Sequence, residues 1–263
     1  MAVKIPESVK ADLPHNQWGK MLGLTPVVMT VIATLLAGLA SSEMTKAQYE
    51  RSYAAQIQSK AGDQWSFFQA KRLRGQMQRD TYELLSAQSG VTSTEEAPAP
   101  APAPPLPEAI ANALKALHDE APAETLNPLL NALKLDDILA AQRTAKAQTA
   151  AYDAVTSPLI KQIAKTAPAV ARLRFNASRY DNEAQLNSTL ARLYELQVQK
   201  SNVAAERHHQ RSKRFFFGML AAQMGVIIST LAMAAKQRNL LWSLAAGAGL
   251  IAIVFALYVY LYI

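Results

Sequence analysis

Arg207, Arg211 and Arg214, with Lys213 beside them, stand directly before an uncharged apolar run from Phe215 to Ala235. On a helix the three arginines share nearly one face, and long cationic side chains in that position meet lipid phosphates at a membrane surface. His208 and His209 are adjacent, so they point to different faces of a helix and lack the i, i+4 geometry that chelates a metal. No metal site is expected. A second basic group, Lys71, Arg72, Arg74 and Arg79, has no aromatic-rich platform beside it of the kind that stacks bases. It reads as a solvated face or as salt bridges to another helix, and no nucleic acid is expected as a partner. Gln223 lies deep in the apolar run, where an amide requires a hydrogen-bond partner or a water-lined cavity.

The rest of the chain narrows the chemistry further. There is no cysteine, which removes disulfides, thiol nucleophiles and thiolate metal sites. No Gly-rich phosphate loop, His-Glu-x-x-His, paired catalytic carboxylates or nucleophile elbow is present. The sequence therefore predicts neither an enzyme nor a cofactor. The net charge of +7 is explained by basic residues that flank apolar segments and face anionic headgroups.

Three segments, Leu22 to Ser42, Phe215 to Ala235 and Leu240 to Ile263, contain no Asp, Glu, Lys, Arg or His. At about 1.5 Å per residue each covers a hydrocarbon core of roughly 30 Å. Lys20, the first apolar run and Gly38-Leu39-Ala40 resemble a cleaved secretory signal, but a run of about twenty residues behind a long polar tail favours a retained span. The reading is a multi-pass membrane protein. Its order is a polar tail (1–21), a first span (22–42), an outgoing helix (43–89), an Ala/Pro linker (90–107), a helical cap (108–167), a returning helix (168–214), and two further spans (215–235 and 240–263).

Scarce glycine, together with abundant Ala, Gln, Leu, Lys and Arg, makes the whole chain all-α in expectation. From Val27 to Ser89 there is no proline, so the first span can continue as a helix beyond the bilayer, with Gly62 and Gly75 as candidate breaks. Ala47, Ala54, Ile57, Ala61, Trp65 and Phe68 recur at spacings of seven, three or four and form an apolar stripe. Leu173, Ala177, Tyr180, Ala184, Ala191, Tyr194 and Val198 form a second, interrupted at Asn187. The two stripes are expected to pair as an antiparallel coiled-coil stalk; a compact bundle of shorter helices is the alternative. Between them, Glu108 to Glu120, Pro128 to Ser157 and Pro158 to Thr166 read as three cap helices bounded by prolines.

Lipid is as apolar as leucine, so small residues at helical spacing mark helix contacts inside a membrane. The first span offers Thr30, Thr34, Gly38 and Ser42, the second Gly218, Ala222, Gly225 and Ser229, and the third Ala248, Ala252 and Ala256. These faces either pack within one chain or leave a stripe for a second copy. Gln223 is expected to bond to Thr30 or Thr34. Trp18, Trp242, Tyr258, Tyr260 and Tyr262 are expected as anchors at the two interfaces.

The stretch from Ser59 to Lys71, with Asp63, Gln64, Trp65, Gln69, Ala70 and Lys71 at its heart, resembles the signature of the family called domain of unknown function 4337. Gln223 and the Lys236, Arg238, Trp242 group are similar to that family's hairpin. Phe67 and Phe68 stand where the family commonly has tyrosine, and the proline linker and cap look like an enlarged insertion. The resemblance implies a bacterial membrane protein with three spans and no assigned activity. Within the stretch, Asp63, Gln64, Trp65, Phe68, Gln69 and Lys71 read either as a lock between the stalk helices or as a docking site for another protein.

Eight basic residues flank the spans on the middle-region side, against five on the other, which leans slightly towards a cytoplasmic stalk, while Lys20 and the short basic hairpin argue the reverse; the bacterial inner membrane is what the family resemblance implies. The functional expectation is a self-associating membrane-anchored scaffold or interaction module, with anionic lipid, a second copy and an unidentified protein as partners. An oligomeric channel or a subunit of a transport complex is the alternative, motivated by Gln223 and the threonines.

Overall fold

With no proline between Val27 and Ser89, nothing interrupts the backbone hydrogen-bond ladder there, and α1 runs unbroken from Gln17 to Ser89 through both Gly62 and Gly75. The computed structural model describes residues 17–89, 106–234 and 238–262. The N-terminal tail, nearly all of the Ala/Pro linker and Lys236 lie outside these residues, as do the side chains of Trp18, Lys20, Arg238, Tyr260 and Tyr262. The described residues form six helices and no strands: α1, α2 (Glu108–His118), α3 (Ala123–Ala132), α4 (Leu135–Thr166), α5 (Ala169–Ala234) and α6 (Arg238–Tyr262).

Two prolines sit where the sequence suggested boundaries and yet lie inside helices. Pro128 is within α3 and Pro158 within α4. The break falls instead at Leu133 and Lys134, both extended, where the buried Leu133 side chain is drawn into the core. At Pro158 one amide donor is missing from the ladder. The hydroxyls of Thr156 and Ser157 bond back to the carbonyls of Tyr152 (2.8 Å) and Asp153 (2.7 Å) in that same turn. Pro26, expected in the first turns of its helix, stands deeper because α1 begins at Gln17.

The chain divides into two units, one made of residues up to 49 and from 205 onward, the other of residues 50–204. In the second unit, α1 and α5 pair antiparallel: Trp65 meets Glu195, Lys71 meets Glu183 and Arg79 meets Asp181, the partner number falling as the first rises. Ala54, Ile57 and Ala61 of α1 share one core with Leu190, Leu193, Tyr194, Leu196 and Val198 of α5. The same core takes Ile110 from α2, Leu130 from α3 and Ile138 from α4. The residues expected as a cap thus pack on a second apolar face of α5, which carries Leu186, Leu190, Leu193 and Leu196.

In the first unit, α1, α5 and α6 each contain a segment long and apolar enough to cross a membrane. Ala33, Leu36 and Ala40 of α1 pack with Phe215 and Ala222 of α5 and Ala252 of α6. Only 22%, 33% and 17% of the three apolar windows is buried within the chain, and Val31, Leu231 and Ile251 are among the large side chains left outside. Water does not tolerate an apolar surface of that extent, whereas lipid does. The three helices fit a multi-pass membrane protein.

Candidate functional site

The Asp63 to Lys71 stretch forms the α1 side of a polar seam with α5. Helical spacing turns Trp65, Phe68 and Lys71 towards the partner helix and leaves Asp63 and Gln69 exposed, with Gln64 half-buried. The Trp65 indole N–H donates to Glu195 Oε1 at 2.6 Å, and its ring meets Phe68 edge-on at 5.3 Å. Lys71 pairs with Glu183 and its ammonium stands 5.5 Å from the Tyr180 ring centre. Arg179 reaches Glu183 from the other side at 3.5 Å, and Arg79 pairs with Asp181. Of the basic group noted in the sequence, Lys71 and Arg79 are therefore salt-bridged to the returning helix. Exposed pairs such as Arg79 with Asp181 contribute at most about 1 kcal/mol; Lys71 and Glu183, being more buried, are the stronger tie. Gly75 lets the helices approach at this level, since a Cβ there would lie 3.3 Å from Tyr180 Cβ and 3.0 Å from Asp181 Oδ1.

α4 joins the same seam. Asn182 donates to the Tyr152 hydroxyl at 3.0 Å. Burial pushes the Tyr152 phenol upward, and the Glu183 charge adds to that, against the opposing hydrogen bond from Asn182. Burial likewise raises the Asp153 carboxyl, with the Glu183 charge reinforcing it.

A second polar network went unnoticed in the sequence. Gln142 of α4 donates to Gln197 Oε1 at 2.7 Å, and Gln197 donates to the Tyr53 hydroxyl at 2.6 Å. Both glutamines are buried. Lys200 donates to the carbonyls of Leu130 and Leu133, where its charge complements the C-terminal end of α3. The only signal available was polarity on an otherwise apolar face of α5.

At the membrane boundary the expected headgroup residues divide. Arg207 and Lys213 are exposed, whereas Arg211 and Arg214 are half-buried, and Arg211 Nε is shielded without a hydrogen-bond partner. The sequence reading did not single out Glu43, which follows the first span directly. It accepts from Lys46 Nζ at 2.8 Å and lies 2.6 Å from His208 Nδ1. Burial acts to raise its carboxyl, but the hydrogen bonds and charges of Lys46 and His208 outweigh it and hold the group below its ordinary value of 4.5. Ser212 Oγ donates to the Ala40 carbonyl at 2.7 Å.

Within the spans, the small residues also divide. Gly218, Ala222, Gly225 and Ser229 are buried; a Cβ at Gly218 would meet Leu36 Cδ1 at 3.3 Å, and one at Gly225 would meet Met29 Sδ at 3.4 Å. Thr30, Thr34 and Gly38 instead lie on the outward face, where a Cβ at Gly38 would meet nothing within 4 Å. The bond expected between Gln223 and Thr30 or Thr34 is not formed. Each threonine hydroxyl donates to its own helix, Thr30 to Pro26 O and Thr34 to Thr30 O, both at 2.8 Å, the local option always open to threonine in a helix. Gln223 is exposed on a groove of about 450 Å³ that it shares with Thr30, Ala33, Thr34 and Ala37. Trp242, expected as an anchor, also donates its indole N–H to Thr25 Oγ1 at 3.1 Å and so ties α6 to α1.

No curated protein and no solved structure matches this chain. A family match does exist, extending from the start of α1 through the Ala/Pro stretch into the turn after α2, with Gln223 and Trp242 beyond it. Residues 18–120 match the family model described as Domain of unknown function (DUF4337), a segment that contains the signature at Asp63 to Lys71.

Proposed function

We propose that this chain is a membrane-anchored helical interaction module that self-associates within the bilayer and has no catalytic chemistry of its own. The observation that carries the reading is Gln223: its side chain is exposed within the apolar segment of α5, with no hydrogen bond to the described residues of its own chain. An amide unsatisfied in hydrocarbon is costly. A glutamine side chain has both donors and an acceptor, so two copies related by a twofold axis can pair amide to amide. The flanking Thr30, Ala33, Thr34 and Ala37 are small enough to let the backbones approach. The excess of basic residues on the middle-region side supports an orientation with residues 43–214 on the cytoplasmic side, where the exposed Asp63 and Gln69 offer a surface to a protein partner; the bacterial inner membrane rests on the family resemblance alone. A competing reading, a conducting oligomer lined by Thr30, Thr34 and Gln223, draws on the same polar strip.

The test is association measured by energy transfer between labelled full-length copies in lipid vesicles. A bond across membrane helices is worth about 0.6–2 kcal/mol, so Gln223→Leu should weaken association by about 3- to 30-fold. Association unchanged by Gln223→Leu refutes the proposal. Ion flux through the same vesicles that vanishes in the variant would favour the conducting reading.

A further inference from the structure

A second open groove, of about 480 Å³, lies between α1 and α5 where their apolar segments end. The Ser212 to Ala40 hydrogen bond holds the two boundaries at one level. Towards the bilayer the groove is lined by Ala37, Phe216 and Met219, and at its polar end by Ser41, His209 and Lys213. Its two ends therefore differ in chemistry in the direction that a membrane does.

Charge at the polar end is net positive. Residues 43–49 and 205–214 contain five Lys or Arg and only two Glu, and Glu43 is already engaged by Lys46 and His208. Lys213 is exposed, and His209 Nδ1 is shielded without a hydrogen-bond partner, so no protein group fixes that ring through it. A free phosphate would satisfy the cation and leave the apolar wall uncovered. An amphiphile with one phosphate and a hydrocarbon chain covers both.

We infer that this groove is a binding site for one anionic phospholipid, its phosphate held by Lys213, His209 and the Ser41 hydroxyl, its acyl chain lying along Ala37, Phe216 and Met219. The inference stands whether or not copies of the chain associate. It assigns a discrete site, with defined stoichiometry, in place of a diffuse attraction between a basic segment and a charged bilayer.

Full-length protein in detergent micelles, titrated with phosphatidylglycerol and separately with phosphatidylcholine and read by native mass spectrometry, tests it. One phosphatidylglycerol per chain should be retained in preference to phosphatidylcholine. A hydrogen bond to a charged group contributes enough that Lys213→Gln should weaken retention about tenfold. Ser41→Phe fills the groove without changing any charge and should also abolish retention. Arg207→Gln, exposed and outside the groove, should cost clearly less than Lys213→Gln. Because Lys213 and Ser41 are exposed, the thermal melt of each variant should match that of the parent. The inference is overturned if Ser41→Phe retains lipid as the parent does, if Arg207→Gln costs as much as Lys213→Gln, or if millimolar inorganic phosphate displaces the lipid.

Discussion

Gln142→Leu probes what holds α4 to the α1 and α5 pair. In the native chain the Gln142 amide donates to Gln197 Oε1 at 2.7 Å and to the Leu193 carbonyl at 3.3 Å. Gln197 is 1% exposed, so water cannot replace the lost donor. Leaving that oxygen unsatisfied costs about 1–3 kcal/mol; the Leu193 carbonyl retains its place in the α5 ladder. For a unit of this size each kcal/mol moves the melting temperature by about 2–4 °C, so the expected fall is roughly 2–12 °C. Gln142→Leu with Gln197→Leu replaces both partners by apolar groups and should cost less than the sum of the two single changes, with an interaction energy of about 1–2 kcal/mol. Far-UV circular dichroism melts of the full-length protein in detergent supply all four corners of the cycle. Single variants that melt with the parent, or a double variant that is strictly additive, would refute the reasoning.

Two further outcomes follow from the membrane unit. The Glu43 carboxyl is held below its ordinary value, so the stability it contributes is present above the unfolded-state value of 4.5 and is lost as pH falls through the lower folded-state value. Glu43→Gln should therefore flatten the acid limb of the melting-temperature profile, and an unchanged limb would count against the assignment. Gly218→Leu places side-chain atoms against Leu36, where even a Cβ would stand at 3.3 Å, and overpacking of that kind costs about 1–3 kcal/mol. Gly247→Leu, whose Cβ would meet nothing within 4 Å, is the control, and equal melting of the two variants in detergent would show that the α1 to α5 contact is not close.

The seam between α1 and α5 was legible because its period is a property of the helix alone. Ala47, Ala54, Ile57 and Ala61 are buried as their spacing implies, as are Ala177, Ala184, Ala191, Tyr194 and Val198. What the pattern concealed was the second face of α5. Leu186, Leu190, Leu193 and Leu196 recur at helical spacing beside the first stripe, and a helix apolar on two faces has neighbours on both. Gln142 and Gln197 are half a bundle apart in sequence, and nothing local marks two amides that meet only once α4 lies on α5. Pro158 misled because a proline's local penalty is a few kcal/mol, small enough for the packing of a 32-residue helix to override; Pro128 sits inside the ten-residue α3, whose Leu130 is buried in the core.

In the membrane the limit on legibility has a different cause. Small residues indicate that a close approach is affordable sterically, but their spacing does not name the neighbour. Gly218, Ala222 and Gly225 are consumed by contacts with α1 and α6, and Met29, Ala33 and Leu36, not Thr30, Thr34 and Gly38, supply the α1 side. Each threonine donates its hydroxyl to a carbonyl of its own helix, so neither hydroxyl proton is directed at Gln223. Gln223 differs from the threonines in that its amide makes no such bond among the described residues. On the proposed reading, a side chain with donors and an acceptor, displayed beside the exposed face of Thr30, Thr34 and Gly38, is satisfied by its own symmetry mate. The failure of the expected Gln223 bond is therefore the strongest argument for association.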